Sequence, residues 1–301
     1  MQNDLFSLCR PYPVVSLVGL SKSAGKTTVL KHLIHAYKRY TKSNAQALPP
    51  LAVTSVGQGG VFPEIRIYKG MYAATAAGVL RDCDFTRRIV HTTGISTPLG
   101  EVIVAEALSD GRVSLAGPSV NSQLGELCRY MRAEIGAGQI LVDGSGDRRT
   151  FAQASGGVIL CAGAALNRDI NAVAAECAHI CRLMNLPLEA ECREDAVIRR
   201  ISGALTDEIL GEITDCADIK ITAVIAADMS KIFVKSAVLD RFLHRGGKIY
   251  VNKPADLIAA ALNPTAPGLG YAFDRAEFLA AVRDRVSVPV FDVEEHETVY
   301  G

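Results

Sequence analysis

The sequence predicts an α/β fold with a mainly parallel sheet, interrupted by a β-rich insertion and followed by a second, smaller α/β lobe. Three observations carry this. Short apolar runs alternate with segments of helical periodicity, as strand–helix units do. Between about residues 60 and 118 the helical spacing disappears and short strand-like runs replace it. From about residue 189 the alternation starts again. The expected domains are therefore 1–188, with the insertion at about 60–118, and 189–301.

The first expected strand is VVSLVG, Val14–Gly19. It is apolar and rich in β-branched residues, as a strand buried on both faces would be. The loop SKSAGKTT follows. Then Val29, Leu30, Leu33, Ile34 and Tyr37 fall on one helical face, with Lys31, Lys38 and Arg39 elsewhere. Pro49 and Pro50 precede a second strand, 51–56. In the insertion, Glu101 to Leu108, the turn SDGR and Val113 to Ala116 read as a hairpin about Asp-Gly. A helix is expected over 121–134 from Leu124, Leu127, Cys128 and Met131, then strands at 139–142 and 157–161. Ile170, Val173, Ala174, Cys177, Cys181 and Met184 mark another helix face. The last lobe is expected to hold a helix over 206–213, strands at 219–226 and 248–251, and helices between and after.

Charge and cysteine usage exclude several function classes. The 301 residues carry 32 Lys+Arg and 32 Asp+Glu, a net charge of zero. Nucleic-acid binding needs a basic footprint, and a polybasic membrane anchor needs one too, so neither is expected. Zero net charge leaves little repulsion between copies, so a homodimer is compatible with it. No run approaches the roughly 20 apolar residues of a membrane span, and the first residues have no signal-peptide pattern. The expected location is cytoplasmic, with the eight cysteines as reduced thiols. Cys177, His179, Cys181 and Cys192 have a spacing that a metal could use, but an Ala-rich buried helix face explains them better.

The residues that carry chemistry are GLSKSAGKTT, 19–28, between a strand and a helix. Backbone N–H groups at such a junction converge on phosphate oxygens. Gly25 allows close approach, Lys26 supplies a charge to the β- and γ-phosphates, and the Thr27 hydroxyl can ligate Mg²⁺. Gly19, Ser21, Lys22, Ser23, Ala24 and Thr28 complete the expected binding loop. The usual spacing is G-x-x-x-x-G-K-[ST]; here Leu20 stands at the first glycine position and Gly19 comes one residue early. A metal site needs an acid nearby. Asp143, at the end of the apolar strand ILVD, is the candidate, holding Mg²⁺ as a Walker B aspartate does. Lys26 and Asp143 are thus the expected catalytic pair, in a P-loop NTPase fold with ATP and Mg²⁺ as ligands. Asp147, Arg148 and Arg149 could form a switch loop, and Glu101 is a further candidate metal carboxylate, with the start of the hairpin as its alternative role. No guanine-reading motif stands out; Asn252, Lys253 and Asn263 lie in the right half of the chain for base contacts.

The longer loop spacing resembles that of dethiobiotin synthetases and cobyrinic acid amide synthetases. MinD-type ATPases belong to the same class and use an early loop lysine to reach a partner subunit's nucleotide. Ser21 occupies that place here, with Lys22 beside it. The strings GLSKSAGKTT, LAVTSVGQGG, YAATA, TPLGEVIVAEALSDGRVSLAGPS, ILVDGSGDRR, GALTDEIL, NPTAPG and PVFDV occur in that order. Together they resemble the small P-loop subunit of the lysine 5,6-aminomutase reactivase family over nearly the whole chain. The resemblance implies an ATP-binding subunit of a reactivase for an adenosylcobalamin-dependent aminomutase, working beside a MutL-like ATPase subunit. One departure bears on hydrolysis. The family has R-D-G where this chain has Gln58, Gly59 and Gly60, so an acid and a charge are missing. Two other functions fit the same loop: a dethiobiotin-synthetase-like enzyme acting on a small carboxylate, and a regulatory module that binds nucleotide without hydrolysing it.

Overall fold

The computed structural model describes residues 4–43, 48–57, 64–144, 156–216 and 222–293. The chain divides into two compact units: Met1–Cys177 with Ile258–Gly301, and Ala178–Leu257. The first unit begins with helix α1 (Leu5–Cys9), capped by the Asp4 carboxylate, which accepts from Ser7 N at 2.8 Å. Strand β1 (Val14–Gly19) and helix α2 (Lys26–Ser43) follow, then β2 (Leu51–Ser55), β3 (Ile65–Ile67) and β4 (Tyr72–Ala76). A one-turn helix α3 (Ala77–Leu80) leads to β5 (Arg87–Thr97), β6 (Gly100–Ala107) and β7 (Gly111–Val113). Helix α4 (Asn121–Ala133), β8 (Gln139–Asp143), β9 (Gly157–Gly163) and helix α5 (Ile170–Met184) come next.

The second unit holds β10 (Ile198–Arg200), β11 (Leu205–Thr206), α6 (Asp207–Asp215), β12 (Ala223–Asp228), β13 (Ile232–Phe233), α7 (Ser236–His244) and β14 (Lys248–Lys253). Its sheet is β10–β12–β14, parallel throughout. Thr206 caps α6, its hydroxyl accepting from Ile209 N, and Asp207 and Glu208 sit in the first turn, where the helix dipole favours acids. The chain then returns to the first unit with β15 (Leu257–Asn263), β16 (Thr265–Ala266), β17 (Tyr271–Ala272), α8 (Arg275–Arg283) and β18 (Val290–Asp292).

One nine-stranded sheet organises the first unit, in the order β18–β15–β9–β1–β8–β2–β4–β6–β5. β1 is parallel to both its neighbours, β8 and β9, and β2 is parallel to β8 and β4. All six residues of β1 are buried, which explains its largely apolar character, broken only by Ser16. Val29, Leu30, Leu33 and Ile34 of α2 pack into the core cluster that holds Leu17 and Val53. Each such side chain contributes about 1.5–3 kcal/mol through burial.

Two sequence expectations change. The hairpin does not turn at Asp110–Gly111. β6 pairs antiparallel with β5 through the Pro98–Leu99 turn, and β7 pairs with β3 instead. A type I′ hairpin needs φ > 0, and Gly111 is not among the positive-φ glycines. Gly111 has a different reason to be glycine: a Cβ there would lie 2.5 Å from Asp84 Oδ1 and 2.7 Å from Phe85 Cβ. The stretch after residue 251, expected to be helical, contains β15 in the central sheet. Six of its seven residues are buried, so enclosure by neighbouring strands overrides the helix preference of its alanines.

No helix of the described residues is long and apolar enough to cross a membrane. The cysteines are free thiols, and Cys177 and Cys181 are buried. His179 Nε2 hydrogen-bonds the Val234 carbonyl at 2.8 Å. Among the described residues no group of three or more His, Cys, Asp or Glu is placed to hold a metal ion.

Candidate functional site

β1 has β8 on one side and β9 on the other, and the chain runs from β1 to β2 beyond β8 before returning for β9. Such a switch in strand order opens a crevice at the carboxyl end of the sheet. The loop 20–25 lies at that end. Leu20 N donates to the Cys161 carbonyl at 2.9 Å, which ties the loop's start to β9. Ser23 (φ 63°) and Gly25 (φ 96°) are both left-handed, with the buried Ala24 between them. Alternating backbone of this kind makes a concave nest of N–H groups. The Gly25 carbonyl accepts from Val29 N at 3.0 Å, so the helix starts directly after the loop and its dipole adds positive potential there.

Lys26 folds back over the loop, its Nζ 3.4 Å from the Ser21 carbonyl. A Cβ placed on Gly19 would lie 2.7 Å from that Nζ. Gly19 thus lies directly under the Lys26 side chain. Gly163 has a similar role: a Cβ there would meet Asn263 O at 3.0 Å and Ala24 Cα at 3.3 Å.

Asp143 ends β8, in register with Leu17 on one neighbour and Ser55 on the other. The residue as a whole is partly exposed, but its Oδ1 is sealed from solvent and has no hydrogen-bond partner. The sealed oxygen governs its chemistry. Burial pushes the carboxyl up to about 6, while the charge of Lys26 pulls it down. The buried Cys161 thiol is pushed up to about 12 by burial, and it too senses Lys26 and Asp143, so the three groups are neighbours. Ser16 Oγ and Ser21 Oγ are likewise buried without partners.

In front of the loop is a cavity of about 600 Å³. Lys22, Ser23, Gly25, Lys26, Thr27 and Thr28 form one wall. Ala165, Asn263, Thr265, Ala266, Gly268 and Leu269 form the other. Asn263 is buried at the end of β15; its Oδ1 accepts from Thr265 N at 3.0 Å and from Thr265 Oγ1 at 2.9 Å. A Cβ on Gly25 would come within 2.7 Å of Asn263 Cβ, so the two walls meet there. The structure thus brings Lys22–Thr28 and Asn263 together. Asn252 and Lys253 lie exposed at the end of β14 in the other unit. Glu101 Oε1 accepts from Gly94 N at 2.6 Å, which makes it part of the β5–β6 pair. Gln58, Gly59, Gly60, Asp147, Arg148 and Arg149 lie outside the described residues. The wall from Thr265 to Leu269 escaped the sequence reading; its only signal was NPTAPG after an apolar run.

The state of Asp143 gives a first prediction. Its folded value, about 6, is above the ordinary 3.8. The contribution to stability is therefore fully present below about pH 4 and is lost as pH rises through about 6. Near pH 7 the ionised carboxylate costs up to about 3 kcal/mol. In metal-free buffer Asp143→Asn is expected to be more stable than wild type at pH 7 and to lose that advantage near pH 4. Urea unfolding across that range reads it; an advantage independent of pH contradicts it.

No family model matches the chain, and neither the curated proteins nor the solved structures contain a match.

Proposed function

We propose that the chain binds ATP with Mg²⁺ at the β1–α2 loop and uses the nucleotide as a switch. The observation that carries this reading is the sealed, unpartnered Oδ1 of Asp143 beside Lys26, behind a loop of left-handed backbone. A buried carboxylate without a partner is costly to keep charged, and a divalent cation compensates it. The donor set fits such an ion: a carboxylate from Asp143 and a hydroxyl from Thr27, both hard oxygens. Asp143 and Thr27 would hold Mg²⁺, and the ion would supply positive charge against the phosphates. The chain's own residues do the rest. The N–H groups from Ser23 to Thr28 receive phosphate oxygens, Lys26 swings from the Ser21 carbonyl to the β/γ-phosphates, and Gly25 keeps the backbone close. The cavity walls from Asn263 to Leu269 flank the nucleoside.

The motif strings supply the setting. On the resemblance, the chain is the ATP-binding subunit of a reactivase for an adenosylcobalamin-dependent aminomutase, with a MutL-like ATPase subunit as partner. A partner that prefers the ATP-bound form must raise ATP affinity by the same factor. The test is capture of the aminomutase and the MutL-like subunit by this chain, run without nucleotide, with ADP and with a non-hydrolysable ATP analogue. Capture confined to one nucleotide state supports the reading; no capture, or equal capture in all three, rejects the switch.

With glycines and a glutamine at Gln58–Gly60, the chain alone lacks the acid that the family carries there. Turnover by the isolated chain is expected below about one per second, under the roughly 1–100 per second of kinases. A steady-state phosphate-release assay without partners checks this, and a faster rate contradicts it.

A further inference from the structure

Helix α2 has no acid among its 18 residues, and its second half gathers charge of one sign. His35, Lys38, Arg39 and Lys42 are spaced three and four apart, so they share one stretch of the helix surface. β3 packs beside α2 and adds Arg66. Tyr68, just past β3, joins the two elements. Its hydroxyl is 3.2 Å from His35 Nδ1, and Lys38 Nζ and the Arg66 guanidinium lie 4.8 and 5.8 Å from its ring centre. Burial, and then the charges of Arg39, Arg66 and Lys42, hold the His35 imidazole below its ordinary value, so these cations stand within electrostatic reach of one point. Arg39, Lys42 and Arg66 are exposed.

The strand pairing adds to the charge. Across β3–β7, Arg66 stands directly opposite Arg112, and like charges so placed destabilise a sheet. Glu64 and Asp84 answer Arg112 at 3.4 and 3.5 Å, and Asp110 answers Lys38 at 3.8 Å. Among the described residues no ion pair reaches Lys42 or Arg66. The helix dipole favours a cation at Lys42, in the last turn of α2, but gives no reason for Arg66 on a strand.

We propose that this face of α2 and β3 binds an acidic, extended peptide segment of a partner protein, its carboxylates seated on Lys38, Arg39, Lys42 and Arg66. The dimensions suit such a segment. His35 to Lys42 covers about 10 Å of helix, and three carboxylates at alternate residues of an extended peptide span about 13 Å. Arginine can hold each carboxylate through two parallel bonds. A nucleic acid fits less well. Its phosphates continue past so short a patch, and Glu64, Asp84 and Asp110 border the patch around β3 and β7. The proposal does not rest on the nucleotide reading.

Calorimetric titration of the full-length chain with hexaglutamate, without nucleotide, tests this. One peptide per chain is expected to bind at low salt, with the binding lost near about 1 M salt, where the screening length is about 3 Å. Lys42→Glu with Arg66→Glu is expected to raise the dissociation constant at least about ten-fold. Lys42→Gln with Arg66→Gln removes the charges without adding acids and is expected to fall between that variant and wild type. Lys231→Glu with Lys248→Glu makes the same change in net charge at exposed positions of the second unit. It is expected to leave binding within about two-fold of wild type. Unfolding midpoints show that each variant is folded. No binding at millimolar peptide, an equal loss in the two charge-reversed variants, or tighter binding of a single-stranded DNA of equal charge overturns the proposal. So does peptide binding that appears only in the variant Glu294→Gln, Glu295→Gln, Glu297→Gln, which would assign the face to the chain's own acids.

Discussion

Replacing Lys26 with alanine is expected to weaken ATP binding roughly ten-fold or more. In this structure the Lys26 side chain lies over the loop with its Nζ 3.4 Å from the Ser21 carbonyl and passes close to Gly19. That bond is long and neutral at its acceptor, so the lysine gives up little when it turns to a phosphate. A charge-assisted bond to phosphate contributes about 1.5–3 kcal/mol, which is one to two powers of ten in affinity. The fold should tolerate the change, since a half-buried lysine over a loop contributes little packing. Equal ATP affinity in wild type and variant, measured by calorimetry, would remove Lys26 from the site. Lys26→Arg gives a useful comparison. It keeps the charge, but its planar fork must fit the space beside Gly19, so it is expected to restore binding only in part.

Gly25→Val is expected to have the larger effect on the protein as a whole. The backbone there has φ 96°, a conformation that β-branched residues avoid. Strain of this kind costs about 1–3 kcal/mol. The new Cβ would also come within 2.7 Å of Asn263 Cβ, which is fixed by the buried end of β15 rather than being a movable side-chain tip. The loop or the opposite wall must shift. Either movement spreads the N–H nest and alters the cavity, so binding should fall by more than in Lys26→Ala. Unfolding midpoints and ATP titrations on the same samples separate the two consequences. A variant of normal stability that binds ATP normally would show that neither the left-handed backbone nor the contact with Asn263 matters to the site.

Much of the frame was legible because burial and periodicity agree in it. β1, β8 and β9 are short, largely apolar and closed by Gly or Asp, and α2 and α4 show one clean apolar face each. The loop 19–28 was legible because its residue types are dictated by local geometry: left-handed backbone at Gly25, a helix start at Lys26. Where the fold departed from the reading, a long-range partner decided. Leu257–Asn263 is alanine-rich and has no strand alternation, since both its faces are enclosed by residues far away in sequence. Asp110–Gly111 has the composition of a hairpin turn, yet Gly111 is required by its closeness to Asp84 and Phe85. The Asp110 carboxylate is used elsewhere, accepting from Lys69 N at 2.8 Å. Asn263 and Gly163 belong to the site only because β15 and β9 end beside the loop, which no local pattern encodes. Gly19, one residue before the usual motif position, lies under the Lys26 side chain.

The most direct measurement is a calorimetric titration of the wild-type chain with ATP, once in Mg²⁺ and once in a chelator, repeated with Asp143→Asn. The account predicts one site per chain, tighter in Mg²⁺ than in the chelator for wild type, and a Mg²⁺ dependence that Asp143→Asn largely abolishes. No binding of ATP in Mg²⁺ at millimolar concentration, or binding whose Mg²⁺ dependence is the same in both proteins, would contradict it.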